Sequence, residues 1–183
     1  MSPDAKPSAG KRILLTGPPG CGKTTVVRKV ADMLGGGASG FYTEEVRDDT
    51  GQRIGFQVIS LEGKRGELAR KDPRPGPRVG SYRVNVKAFE EIALPSMEAE
   101  AGRVLLIDEI GKMECCSGDF VRRVEQAFET DHPILATIPL RGGGDFIDNI
   151  RRRKDVEPIL VTRENRDELP EQLVAKLTSR PAT

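Results

Sequence analysis

The stretch Gly17-Pro18-Pro19-Gly20-Cys21-Gly22-Lys23-Thr24, entered from the apolar run Arg12-Ile-Leu-Leu-Thr16, restricts the possible folds of this chain more than any other feature. It fits a phosphate-binding loop set between a strand and a helix. Gly17, Gly20 and Gly22 let the backbone curl so that successive N–H groups converge, and the following helix turns the positive end of its dipole to the same point. Lys23 adds a mobile charge for terminal phosphates, and Thr24 a hydroxyl for the Mg²⁺ that travels with them. An ordinary turn has no need of Lys-Thr at that place, so the pattern implies binding of nucleotide phosphates.

The chain has 183 residues and a formal net charge of +1. That length suits one domain with a real core, expected over residues 11–180 behind a disordered tail, residues 1–10. Balanced charge gives no field that would draw it to nucleic acid or an anionic membrane, and a monomer is expected. The longest apolar runs are strand-sized, which predicts no membrane span, and the Pro/Ser/Ala-rich start lacks the apolar core of a secretory signal, so a cytoplasmic protein is expected. Cys21, Cys115 and Cys116, with the single His132, make neither a disulfide framework nor a zinc site. Cys21, at a helix N-terminus, is expected to be a reactive thiol.

Strand signals alternate with helical stretches, which predicts an α/β fold: a P-loop NTPase, three-layer α/β/α, with a mainly parallel sheet. The expected helices are 22–34, 88–101 with a kink at Pro95, 117–129, 146–153 and 164–177 interrupted by Pro170. Expected parallel strands are 12–16, 103–107, 133–138 and 158–161, with a short strand at 82–86. Residues 40–47 and 52–60, around Asp48-Asp-Thr-Gly51, read as an added antiparallel hairpin. The Pro- and Gly-rich stretch 61–80 reads as a loop.

Val104-Leu-Leu-Ile-Asp108-Glu109 is a buried strand ending in two carboxylates. Asp108, on a strand expected beside the P-loop strand, is the candidate Mg²⁺ ligand together with Thr24. Glu109, one step on, is the candidate for orienting or deprotonating the attacking water. Thr137 either reaches the terminal phosphate or bonds backbone as a buried strand threonine. Arg151-Arg-Arg-Lys154 offers one guanidinium for the phosphates or simply complements a helix end. One of Glu44 and Glu45 is expected to face the site and the other solvent.

Taken together, these and further blocks make the chain resemble the cancer-related nucleoside triphosphatase family. The resemblance runs from Ile13 to about Leu169. It rests on Leu15 to Thr25, Gly40-Phe-Tyr-Thr-Glu-Glu-Val-Arg47, Arg53-Ile-Gly-Phe56, Arg78-Val-Gly-Ser-Tyr82, Ile107-Asp-Glu-Ile-Gly-Lys-Met-Glu114, Ala136-Thr-Ile-Pro139, Arg152-Arg-Lys-Asp155 and Thr162-Arg-Glu-Asn-Arg166. It implies Mg²⁺-dependent hydrolysis of nucleoside triphosphates to diphosphate and phosphate, with little base preference. It also carries Gly17 to Thr25 and Asp108, Glu109, Ile110 and Gly111 over as nucleotide-binding positions.

A selective GTPase is disfavoured by the absence of an Asn-Lys-x-Asp motif. Two other readings stand beside hydrolysis. A small kinase would use Arg65 to Arg78 as a lid over an acceptor, although Glu109 beside the metal carboxylate favours water. A nucleotide-driven switch would need an effector surface for which the length leaves little room.

Overall fold

The computed structural model describes residues 11–98 and 101–179. The expected N-terminal tail falls outside them. Strands β1 (Arg12–Thr16), β2 (Ala38–Arg47), β3 (Arg53–Ser60), β4 (Arg65–Arg70), β5 (Arg78–Val79), β6 (Tyr82–Val84), β7 (Val104–Ile107), β8 (Ile134–Thr137) and β9 (Val156–Leu160) form one sheet, ordered β5-β6-β4-β3-β2-β7-β8-β1-β9. The helices are α1 (Lys23–Leu34), α2 (Val86–Ser96), α3 (Gly118–Phe128), α4 (Asp145–Arg151) and α5 (Leu169–Thr178).

The strands β9, β1, β8, β7 and the first half of β2 are parallel, so their carboxyl ends lie on one edge. Their continuous apolar sequences suit a sheet covered on both faces. Because successive side chains alternate, Leu14, Leu105 and Ile107 join the core under α2, α3 and α4. Ile13, Leu15, Val104 and Leu106 join the core under α1 and α5. The first core centres on Phe41, Phe89 and Phe120, all fully buried and packed edge to face at 5.3–5.9 Å between centroids.

Several expectations are corrected. The stretch 61–80 is no free loop: β4 pairs antiparallel with β3, and β5 and β6 extend the sheet beyond it. Its many arginines hid the strands, because only Leu68 and Ala69 of β4 are buried. Pro95 sits in the last turn of α2, which ends at Ser96, so it stops the helix instead of kinking it. Pro170 lies in the first turn of α5, where a missing N–H costs nothing, and residues before Leu169 form turns. Pro158 sits inside β9, which is tolerated because β9 is an edge strand. The expected helix starts at 117 and 146 agree with α3 and α4 to within a residue. Ser117 and Asn85 cap α3 and α2 by accepting hydrogen bonds from the Phe120 and Ala88 amides at 2.9 and 3.1 Å.

The aromatic cluster supplies a test of the core. Phe120→Ala should cost about 3–5 kcal/mol in urea unfolding, the range for emptying a buried aromatic site. Phe120→Leu should cost clearly less.

Candidate functional site

Helix α1 begins directly from the loop. Gly22, its N-cap, has φ +112°, contributes no side-chain cap, and the first turn holds no acidic residue. The positive end of the helix is therefore left for an external anion. Gly22 is required twice over, since a Cβ there would also lie 2.9 Å from the Arg166 Cδ. Lys23 Nζ donates to the Gly17 carbonyl at 3.0 Å, parked across the loop it closes. Cys21 is 4 % exposed and packs in the core under α1, not in the cleft. The expected reactive thiol is thus a buried small apolar side chain.

Asp108 and Glu109 emerge from the carboxyl end of β7, joined by a cis peptide bond. The strand order corrects their setting: β8 lies between β7 and β1, so Asp108 does not sit beside the P-loop strand. Instead β8 delivers Thr137 into the gap. Thr137 is fully buried, and its hydroxyl donates to Asp108 Oδ1 at 2.6 Å. It therefore bonds neither backbone nor anything in the cleft.

Asp108 is 1 % exposed, and its second oxygen, Oδ2, is buried with no hydrogen-bond partner. Burial pushes its pKa up, opposed by the Thr137 and Thr24 hydroxyls, the Thr43 amide and the Lys23 charge. A buried carboxylate oxygen left without a partner is costly, and a cation meeting it would remove the cost. Among the described residues no group of three or more His, Cys, Asp or Glu forms a metal site. One carboxylate and the Thr24 hydroxyl suit an ion that brings its other oxygen ligands with it, as a phosphate-bound Mg²⁺ does.

Glu109 lines the cleft. Burial raises its pKa, the Asp108 charge raises it further, and Lys23 opposes both. A second carboxylate, Glu114, was given no role by the sequence. Glu109 Oε1 and Glu114 Oε2 each lie 2.7 Å from the point where a Gly111 Cβ would stand, so at most twice that separates them. Any side chain at 111 would fill the space between. Glu114 is 5 % exposed, and burial together with the Glu109 charge pushes its pKa up to about 8. No spacing rule flags a glutamate seven residues past the strand end. Ile110 is buried in the core.

The cleft has a volume of about 1040 Å³ and is walled by Gly17 to Gly20, Gly22 to Thr25, Glu109 and Glu114. Its arginines are Arg28, Arg53, Arg141 and Arg166. None of Arg151 to Lys154 lines it. Arg151 donates to the Pro139 carbonyl at 2.8 Å and pairs with Asp148, while Arg153 is held by Asp155 and Glu129 at 2.9 Å. Arg166 is set by Asn165, whose amide oxygen accepts from Thr162 N and whose NH₂ donates to the Leu160 carbonyl, both at 2.9 Å. Glu44 and Glu45 both reach the cleft lining, each already ion-paired, to Arg28 at 2.8 Å and to Arg53 at 2.7 Å. The expected alternation fails there because the cleft wraps around this strand end. Arg70 and Arg74 pair with Glu67, which ties down the supposed arginine lid.

A parallel sheet whose P-loop and acidic strand end open on one cleft defines the class of P-loop nucleotide-binding proteins. A family model described as NTPase matches residues 12–174. The chain belongs to this NTPase family. It is 42 % identical to the nucleoside-triphosphatase THEP1 of Thermotoga sp. (strain RQ2), over 91 % of this chain and 95 % of that one. It is 44 % identical to the human cancer-related nucleoside-triphosphatase, over 92 % and 97 %. The crystal structure of THEP1 from Aquifex aeolicus superposes with a TM-score of 0.84 at 40 % identity, covering 92 % of this chain and 99 % of that one. The solution structure of the human protein gives 0.78 at 43 % identity, covering 94 % and 100 %. These matches bear out the resemblance and the fold class. Among the described residues no helix is long and apolar enough to cross a membrane.

The buried Glu114 makes a linkage prediction. A carboxyl that titrates near 4.5 when unfolded and near 8 when folded leaves the native state holding the extra proton between those values. Its contribution to stability is therefore full below about pH 4.5 and is lost as pH rises through about 8. The unfolding free energy of Glu114→Gln minus that of the wild type should rise across this window in parallel denaturation curves. A difference independent of pH would show that Glu114 ionises normally.

Proposed function

We infer that this protein is a Mg²⁺-dependent nucleoside-triphosphate phosphohydrolase with low base selectivity, acting through the cleft above α1. The observation that carries the reading is the convergence of an uncapped P-loop helix with a buried Asp108 whose Oδ2 lacks a partner. Gly17 to Thr25 would cradle the polyphosphate, and Lys23 would move from the Gly17 carbonyl to the terminal phosphates. Thr24 and Asp108 would hold Mg²⁺, which when bound would supply positive charge against the negative charge developing in the transfer. Thr137 acts through Asp108: its hydrogen bond fixes Oδ1 and leaves Oδ2 turned to the ion. It is a positioning residue, distinct from both roles expected of it, the phosphate contact and the backbone bond.

With β7 two strands from β1, the terminal phosphate would point toward Glu109 and the nucleoside toward the β1–β9 side, where Arg166 covers the loop. Glu109 then faces the attacking water, in line with the departing diphosphate, and accepts its proton. Glu114, buried behind Gly111, keeps Glu109 in a dry setting and favours a single proton on the pair. Arg141, in the loop after β8, is the cis charge nearest in sequence to Thr137 and replaces the 151–154 run in that role. Ile110, buried in the core, and Gly111 would serve the site by shaping the turn that carries Glu109. Three unpaired cysteines and near-neutral charge suit an intracellular setting without nucleic acid.

Glu109→Gln should lower kcat for phosphate release by about 10²–10⁴-fold, the usual scale for a lost general base, while nucleotide affinity holds. Full activity in that variant would remove Glu109 from the role. Lys23→Ala should weaken both nucleotide binding, read by calorimetry, and turnover.

A further inference from the structure

The Arg53-Ile-Gly-Phe56 and Arg78-Val-Gly-Ser-Tyr82 blocks have no part in the nucleotide cradle, yet the fold brings them together. The Phe56 and Tyr82 rings meet edge to face with centroids 5.1 Å apart. The Arg53 guanidinium lies 5.2 Å from the Phe56 centroid and 5.9 Å from that of Tyr82. Its Nε donates to the Tyr82 hydroxyl at 2.9 Å and its Nη1 to Glu45 Oε1 at 2.7 Å. Four contacts thus fix this arginine while it stays 44 % exposed.

Arg53, Phe56 and Val79, over the buried Leu68, line the same cleft as Thr24 and Glu109. Small-molecule sites usually run from about 300 to about 1,000 Å³, so this cleft reaches the top of the range. Strand order places the surplus. β2 adjoins β7 and β3 adjoins β2, so this chamber opens past Glu109, away from β1 and β9. Under the reading given above, that is the side of the terminal phosphate.

We propose that this chamber seats a free nucleoside, whose hydroxyl accepts the terminal phosphoryl group in place of water. The proposal rests on the polyphosphate orientation under Proposed function. Arg53 has Nε and one terminal nitrogen already engaged, so it offers a stacking plane and not the open fork that grips phosphate. The Phe56 ring and the Arg53 guanidinium plane, backed by the buried Tyr82 and set above an apolar floor, suit a flat heterocycle. The Glu45 carboxylate, with Oε1 on Arg53 and Oε2 on Arg47, holds that guanidinium plane in place. In the transfer, the acceptor oxygen forms a bond to the γ-phosphorus as the anhydride bond breaks. The nucleoside diphosphate leaves with the electron pair, and the hydroxyl proton passes to Glu109. The products are a nucleoside monophosphate and a nucleoside diphosphate.

The full chain with Mg²⁺ and γ-labelled ATP, given adenosine, guanosine, cytidine or uridine in turn, should yield labelled nucleoside monophosphate beside labelled phosphate. Phe56→Ala should lower the ratio of monophosphate to phosphate about tenfold, the scale of one lost stacking contact. Val79→Phe, which fills the chamber without emptying the core, should do the same. In both variants phosphate release without nucleoside should be unchanged. Label found only in phosphate with all four nucleosides overturns the proposal and leaves the hydrolase intact. Transfer confined to the 5′-hydroxyl of an oligonucleotide overturns the choice of occupant. If neither phosphate nor monophosphate forms, the hydrolase reading falls with it.

Discussion

The parallel register of β1, β8 and β7 is the constraint from which the rest follows. Leu15 lies opposite Thr137, and Ile107 opposite Ala136, so the P-loop, Thr137 and the Asp108-Glu109 pair leave the sheet at one edge. Backbone ladder bonds fix that arrangement without asking anything of the polar side chains themselves. The apolar residues just upstream, buried on both faces, hold the edge rigid. The sheet can therefore keep Asp108 fully buried with half its hydrogen-bonding capacity unused. Such a group is destabilising in the free protein. Sites that carry unpaid polar burial of this kind are where a ligand has the most to gain.

Electrostatics in the cleft follow a division along its length. Near α1 the helix dipole, Lys23 and Arg166 make a positive end. At the other side, Asp108, Glu109 and Glu114 crowd three carboxyl groups together; burial raises all three pKa values, and repulsion from the neighbouring carboxylates adds to the rise at Glu109 and Glu114. Charge beyond that point is self-compensated: Glu44, Glu45 and Glu67 hold the arginines of β3, β4 and the α1 surface. Cationic side chains here organise the wall of the cleft instead of adding a broad positive field.

Legibility in the sequence tracked the range of the interaction. The P-loop, the β2–β3 hairpin turn and the amphipathic α3 depend on neighbours within a few residues, and each was readable. Strand order depends on pairing across the whole chain, so the insertion of β8 between β1 and β7 was hidden, and with it the bond from Thr137 to Asp108. β4 escaped because an antiparallel strand with one covered face needs only two buried residues, here Leu68 and Ala69, among arginines and a glutamate. Pro170 misled because its helix starts five residues later than the periodicity suggested, which turns a breaker into a first-turn residue. Arg151 and Arg153 lay in a conspicuous basic run, but carbonyls and carboxylates close by absorb their donors. Arg141 in a bend and Glu114 at the start of a three-residue 3-10 helix do reach the cleft, but both elements are too short for a periodic signal to point inward. Asp108 and Glu109 are legible only together with the P-loop, because two carboxylates ending an apolar strand are by themselves often a solvated turn.

The most direct test of this account is a crystal structure of the protein with Mg²⁺ and a non-hydrolysable nucleoside triphosphate. The account predicts that Lys23 Nζ leaves the Gly17 carbonyl for the phosphates, that Asp108 Oδ2 turns to the ion while Oδ1 keeps the Thr137 hydroxyl, and that Glu109 faces the γ-phosphorus. A triphosphate bound elsewhere, or one bound in the loop while Asp108 Oδ2 remains without a partner, would contradict it.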